Sequence, residues 1–90
     1  MRFEWDPVKA ARTKSRRGIS FEEAESVFLD PYALSRFDAE HSDAEDRYIR
    51  IGRIAAGVIT VVYTDRRENI RRIISVRKAT RKEQEAYYEQ

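Results

Sequence analysis

The chain has no cysteine, which excludes disulfides, thiolate zinc sites and a cysteine nucleophile. It has one histidine, His41, so no pair of histidines can divide acid and base roles or build a His-rich metal site. Glycine and proline number three and two, too few for a linker-like or low-complexity chain. The longest apolar run, Ile54 to Ile59, falls far below the ~20 residues of a membrane-spanning helix. The opening Met1-Arg2-Phe3-Glu4-Trp5-Asp6 lacks the apolar core of a signal peptide. The expectation is a cytoplasmic protein with no membrane contact, no metal and no other cofactor.

What is present is charge. Ninety residues suit one domain, 1–90, and 38% of them are charged against 41% hydrophobic. The core must be small and net stability modest, which favours a stabilising partner. The net charge of +2 conceals strong segregation. Residues 1–18 are basic, residues 20–46 hold nine acids against Arg36 alone, and residues 47–82 carry eleven basic groups against Asp65 and Glu68. Arginine outnumbers lysine fourteen to four, and arginine is the side chain suited to planar, bidentate contact with phosphate. A solvated surface with internal acid–base pairing is the competing account of the same pattern.

Element signals are readable along the chain. Phe3-Glu4-Trp5 reads as a short edge strand. Asp6-Pro7 is an N-cap followed by proline at the first helical position, and that helix should stop at Gly18. Ser20-Phe21-Glu22-Glu23 is a capping box opening a helix over about 21–29, which ends before Asp30-Pro31. From residue 32 the period changes to two. Strands are expected over Tyr32–Phe37, Arg47–Arg53, Val58–Thr64 and Ile70–Arg77, with turns at Ala56-Gly57 and Asp65 to Asn69. Thr80 and Glu83 form a second capping box, opening a last helix through Tyr88. The order β-α-α-β-β-β-β-α implies an α+β fold: a small antiparallel sheet of four to five strands with helices packed on one face.

Several motifs in register resemble one family. Phe3-Glu4-Trp5-Asp6-Pro7-x-Lys9-Ala10-Ala11 is similar to the opening of BrnT-like toxins. Gly18-Ile19-Ser20-Phe21-Glu22-Glu23-Ala24 and Phe28-x-Asp30-Pro31 are similar to that family's second helix. His41-Ser42-x-x-Glu45-x-Arg47, Ile51-Gly52-Arg53 and Arg72 to Ala79 continue the match, and Glu83 with Tyr87 closes it. The resemblance covers nearly the whole chain. It implies a ribonuclease toxin of a type II toxin–antitoxin pair with a RelE-like fold. It also implies a partner: a BrnA-like ribbon-helix-helix antitoxin that neutralises the toxin, binds operator DNA itself, and forms a heterotetramer of two toxins and two antitoxins. One departure stands out. The family usually ends its first helix with Asn-x-x-Lys-His-Gly, whereas this chain has Thr13-Lys14-Ser15-Arg16-Arg17-Gly18, so Arg17 replaces a titratable histidine.

RNA carries its own nucleophile, the 2′-hydroxyl, so a protein that cleaves it needs neither serine nor cysteine. It must hold the phosphate, stabilise added negative charge and move two protons. Arg77, at the end of the last strand, leads the candidates. Strict alternation sets Arg71, Ile73, Ser75 and Arg77 on an open face and Ile70, Arg72, Ile74 and Val76 on the helix-packed face. Arg72 would then point inward or sit at a bulge. His41, with Glu45 and Arg47, forms a second cluster, because histidine is the natural proton carrier near neutrality. Of Tyr87 and Tyr88 on the last helix, one can stack on a base or donate a proton near the phosphate, with packing on the sheet as the alternative, and Tyr87 matches the family position. Arg53, Arg71, Arg72 and Lys78 are the RNA-contacting candidates. The alternative from another class is a binding module or degenerate toxin subunit that acts only through partners. No helix-turn-helix, zinc-finger or basic-zipper pattern supports direct DNA reading.

Overall fold

Each helix starts on a side chain that the sequence supplies for it. In the computed structural model, which describes residues 1–90, the Asp6 carboxylate accepts the Val8 backbone N–H at 2.9 Å and opens α1 (Pro7–Arg17). Gly18 closes that helix at φ 71°, donating to the Lys14 carbonyl, a conformation that costs glycine little. Ser20 and Glu23 form a reciprocal capping box at the start of α2 (Phe21–Ala24). The expected helix over 21–29 is α-helical only for that turn and then tightens to 3₁₀ over Glu25–Leu29. Ser26 Oγ bonds the Glu23 carbonyl at 2.8 Å, and Pro31 pushes Asp30 into extended backbone, so the helix cannot continue. Thr80 and Glu83 cap α3 (Arg81–Tyr88) in the same way as α2.

The strands are β1 (Arg2–Glu4), β2 (Leu34–Phe37), β3 (Tyr48–Ile54), β4 (Gly57–Arg66) and β5 (Ile70–Lys78), in spatial order β1-β5-β4-β3-β2. β2 to β5 form an antiparallel meander. The sheet is not wholly antiparallel, because β1 lies parallel to β5 with Phe3 opposite Arg71 and Glu4 opposite Arg72. The chain leaves β1 through α1, and the meander returns β5 beside it in the same direction. The β4–β5 turn places Glu68 and Asn69 at positive φ, 59° and 65°, as a tight right-twisted hairpin requires.

Helices cover both faces of the sheet, which corrects the expectation of one-sided packing. On the first face Ile54, Ile59, Val61, Ile73 and Val76 pack against Ile19, Phe21, Ala24 and Val27, with Trp5 and Phe28 at the margin. On the second face Ile49, Ile51 and Val58 pack against Ala79 and Tyr87. The reason lies in the two central strands, which are apolar on both sides and therefore need cover on both. α3 provides the second cover.

The facing of β5 is also corrected. Val62 pairs with Ser75 but Tyr63 pairs with Ile73, so Ile74 is an extra residue in a bulge. Alternation restarts there. Arg71, Ile73 and Val76 fall on the first face, whereas Arg72, Ser75 and Arg77 share the second.

Candidate nucleic-acid interface

The second face is only partly roofed. α3 lies over Ile49, Ile51 and Val58 at one end, and a cleft of about 400 Å³ opens between it and β2–β3. Leu34, Ile49, Ile51 and Ala86 supply its apolar lining, with Arg36, Lys82 and Glu83 also around it. Arg77 projects beside this cleft from opposite Thr60, and Arg72 projects from opposite Thr64. Four residues of β4 separate those rungs, about 13 Å at the usual rise per residue.

Arg77 is held by an acid. Its Nη1 donates to Glu83 Oε1 at 2.7 Å and its Nη2 to Oε2 at 3.0 Å. Glu83 also accepts from Thr60 Oγ1 at 3.0 Å and from the Thr80 N–H at 2.8 Å. The Arg77 hydrogen bonds, assisted by those of Thr80 and Thr60, outweigh the cost of burial and hold the Glu83 carboxyl at about 2. The same pair raises the Arg77 pKa, so the guanidinium is always charged.

Arg72 Nη1 bonds Glu4 Oε2 at 2.8 Å, and Arg66 Nε approaches the same oxygen at 3.4 Å. Glu4 is there because the parallel β1–β5 register sets it opposite Arg72. Arg66 and Arg72 thus share one carboxylate between two cations.

His41, Glu45 and Arg47 do come together, around a hollow of about 250 Å³ in the loop before β3. His41 Nδ1 lies 2.9 Å from Oδ2 of buried Asp38, while 63% of its side chain remains exposed. Ser42 Oγ donates to the Asp38 carbonyl and accepts the Arg47 N–H at 2.9 Å, closing the loop. Arg47 Nε sits 3.8 Å from Glu45 and is the one buried side-chain polar atom with no hydrogen-bond partner. Thr64 Oγ1 ties this loop to β4 through the Asp46 carbonyl at 2.6 Å. The cluster is therefore level with Arg72, at the opposite end of the face from Arg77.

Other candidates are placed differently. Tyr87 is buried, and its hydroxyl donates to Asp30 Oδ2 at 2.6 Å. That bond to a carboxylate pushes the phenol up to about 12. Burial works against ionisation of Asp30, but the Tyr87 hydroxyl and the backbone N–H groups of Arg53 and Tyr32 outweigh it and keep the carboxyl below its usual range. Tyr87 is thus engaged in joining elements, not presented to the cleft. Arg71 lies on the first face, over the rings of Phe28 and Tyr63 at 4.8 and 4.6 Å, and bonds Asp65 at 2.6 Å. Arg53 and Lys78 are exposed at the ends of β3 and β5, opposite Val58 and Ile59. Arg36, Arg66 and Lys82 were not among the sequence candidates. Arg36 had a readable signal, since it stands two residues past Leu34 in a strand and so shares its face; the other two are placed only by the register and by α3. No three acidic or histidine side chains gather as a metal site, and no helix is long and apolar enough to cross a membrane.

The fold and the site together define a class: a small α+β protein with an arginine-bearing sheet face, open at one end and roofed by a helix at the other. The sequence agrees with that class and narrows it: the chain belongs to the family of the ribonuclease toxin BrnT of type II toxin–antitoxin systems, whose family model matches residues 5–83. Among solved structures the chain is similar to the Brucella abortus ribonuclease toxin BrnT, with a TM-score of 0.66 and 23% identity. That likeness covers 90% of this chain and 99% of the Brucella chain. No curated protein matches the sequence.

Proposed function

We propose that residues 1–90 act as a single endoribonuclease toxin domain that cleaves RNA in the cytoplasm without a metal ion, using the RNA 2′-hydroxyl as nucleophile, and so inhibits translation. The observation that carries this reading is the placement of Arg72 and Arg77 on one face beside the α3 cleft, in a chain of the ribonuclease toxin family. Arg77 holds the scissile phosphate and stabilises charge added to it. Arg72 and Arg66 contact the flanking backbone, and Arg36, Arg53 and Lys82 extend the electrostatic attraction; Lys78, opposite Ile59, falls on the first face and is left out. His41, Glu45 and Arg47 lie at the opposite end of the face from Arg77, beyond hydrogen-bond reach of a phosphate held there, so this cluster is assigned to the flanking RNA and not to proton transfer at Arg77. Arg71 is left out of the RNA-contacting set, because its guanidinium is stacked between rings on the other face.

A nuclease face of this kind needs a partner to mask it. The fitting partner is a BrnA-like ribbon-helix-helix antitoxin, in an assembly of two toxins and two antitoxins that reaches operator DNA through the antitoxin alone. Incubation of purified, antitoxin-free protein with RNA tests the reading, with R77A alongside and with excess chelator. The expected result is cleavage by wild type in chelator and its loss in R77A. RNA binding without cleavage by wild type would favour the second reading, a degenerate toxin acting through binding alone, which Arg17 in place of the family's histidine independently suggests. Abolition by chelator with rescue by magnesium or manganese would overturn metal independence.

A further inference from the structure

A guanidinium carries five N–H donors in one rigid plane. In Arg77, Glu83 takes the end-on pair through Nη1 and Nη2, and the second Nη1 donor reaches the Lys78 carbonyl at 3.3 Å. Two donors remain, Nε–H and the outer Nη2–H. They lie along one edge of the plane, none of the protein's acceptors takes them, and Nε is not among the buried unsatisfied atoms. Such an edge matches two oxygens of a phosphate.

Glu83 is unusually well fixed for an acid that pairs with an exposed arginine. Its side chain is 16% exposed, and four donors from three elements converge on its carboxylate: Thr60 on β4, Arg77 twice from β5, and Thr80 at the cap of α3. A freely moving surface pair has neither feature. Oε1 accepts from Thr60, Arg77 and Thr80 and Oε2 accepts from Arg77, and the carboxylate stays ionised far below neutrality. A carboxyl that acidic is a weak base at neutral pH, and its bonds direct it to Arg77.

We propose that Glu83 is the positioning residue of the reaction: it grips Arg77 by one edge of the guanidinium so that the Nε–H/Nη2–H edge is held ready for the scissile phosphate. This rests on the reading of Arg77 given above and goes beyond it, by naming what aims the arginine. Arginine has large rotamer freedom, and fixing it before substrate arrives removes that ordering from the binding and chemical steps. The capping box of α3 has a second consequence here, since the carboxylate that starts the roof helix also aims the arginine beneath it.

The test uses steady-state cleavage of a defined RNA oligonucleotide by wild type, E83Q, S20A, R77A and the double variant E83Q/R77A. Glutamine keeps the shape and the acceptor oxygen of the cap but loses the charged two-oxygen grip. E83Q should lower kcat by about 10- to 100-fold with KM within about threefold of wild type, because Arg77 keeps its charge but loses its aim. S20A removes the equivalent cap hydroxyl of α2, on the other face; it should lower the melting temperature and leave kcat unchanged. Adding E83Q to R77A should cause little further loss, since both act through one group. Wild-type kcat in E83Q, parallel kcat loss in E83Q and S20A, or full additivity with R77A would each overturn the positioning role. R77A cleaving at the wild-type rate would instead overturn the reading of Arg77 itself. If E83Q does not fold, E83D supplies the same test: aspartate keeps the charge but is one methylene too short for the two-oxygen grip on Arg77, so retained RNA affinity with lost kcat supports the proposal and wild-type kcat overturns it.

Discussion

The hydroxyl of Tyr87 donates to Asp30 Oδ2 at 2.6 Å and so joins the last helix to the segment entering β2. Asp30 also accepts the backbone N–H of Arg53 from β3 and of Tyr32 from its own turn. One carboxylate therefore ties together three parts of the chain, at the end of α3 away from Arg77.

Removing only the hydroxyl, in Y87F, leaves the ring packed but deprives Asp30 of its side-chain donor. A loss of about 1–2 kcal/mol is expected, read as a lower urea midpoint at unchanged slope. Cleavage by the remaining folded protein should be nearly unaffected, because the phenol faces Asp30. A large fall in kcat at unchanged stability would return Tyr87 to the chemistry.

Stability should fall in acid through Glu83. Its folded pKa of about 2 lies below the ordinary value of 4.5, mainly because of the Arg77 hydrogen bonds. The folded state thus favours the ionised form. Its contribution is complete above about 4.5 and is lost as the pH falls from there towards 2. Equilibrium unfolding across that window should show a slope in wild type that is shallower in E83Q.

Gly52 marks where β3 runs against the 3₁₀ segment. A Cβ there would meet Val27 Cγ1 at 2.7 Å and Asp30 Oδ2 at 3.3 Å. G52A should cost about 1–3 kcal/mol through overpacking, read as a lower melting temperature. Unchanged stability would mean that the Val27 segment moves freely away from β3.

Arg71 and Arg72 are neighbours in sequence on opposite faces of the sheet, and they should separate stability from binding. R72A should weaken RNA binding and reduce its salt dependence by about one phosphate contact, with little effect on folding. R71A removes the Asp65 pair and the stacking on Phe28 and Tyr63, and should lower stability by about 1–2 kcal/mol with RNA affinity kept. Titrations at several salt concentrations, beside thermal melts, distinguish the two. Equal loss of affinity in both variants would contradict the facing of β5.

Local chemistry determined much of this protein from sequence alone. Asp6-Pro7, Ser20 with Glu23, Gly18 and Thr80 with Glu83 mark the helix ends because a cap satisfies its own backbone groups within a few residues. Period-two alternation likewise marks β2 to β5, and the motif register marks the family. Tertiary structure decided what depends on distant partners. β1 becomes a parallel edge strand only because the meander brings β5 back to it. α3 crosses to the second face because Ile49, Ile51 and Val58 are left uncovered by α1 and α2. The bulge at Ile74 turns Arg72 and Arg77 to one side, and a bulge is set by the pairing of two strands, not by the residues of one. Tyr87 and Asp30 meet across 57 residues. A pattern of side chains fixes local conformation, but which of two faces a charged group shares with another follows only when the whole sheet is assembled and each apolar surface has found its cover.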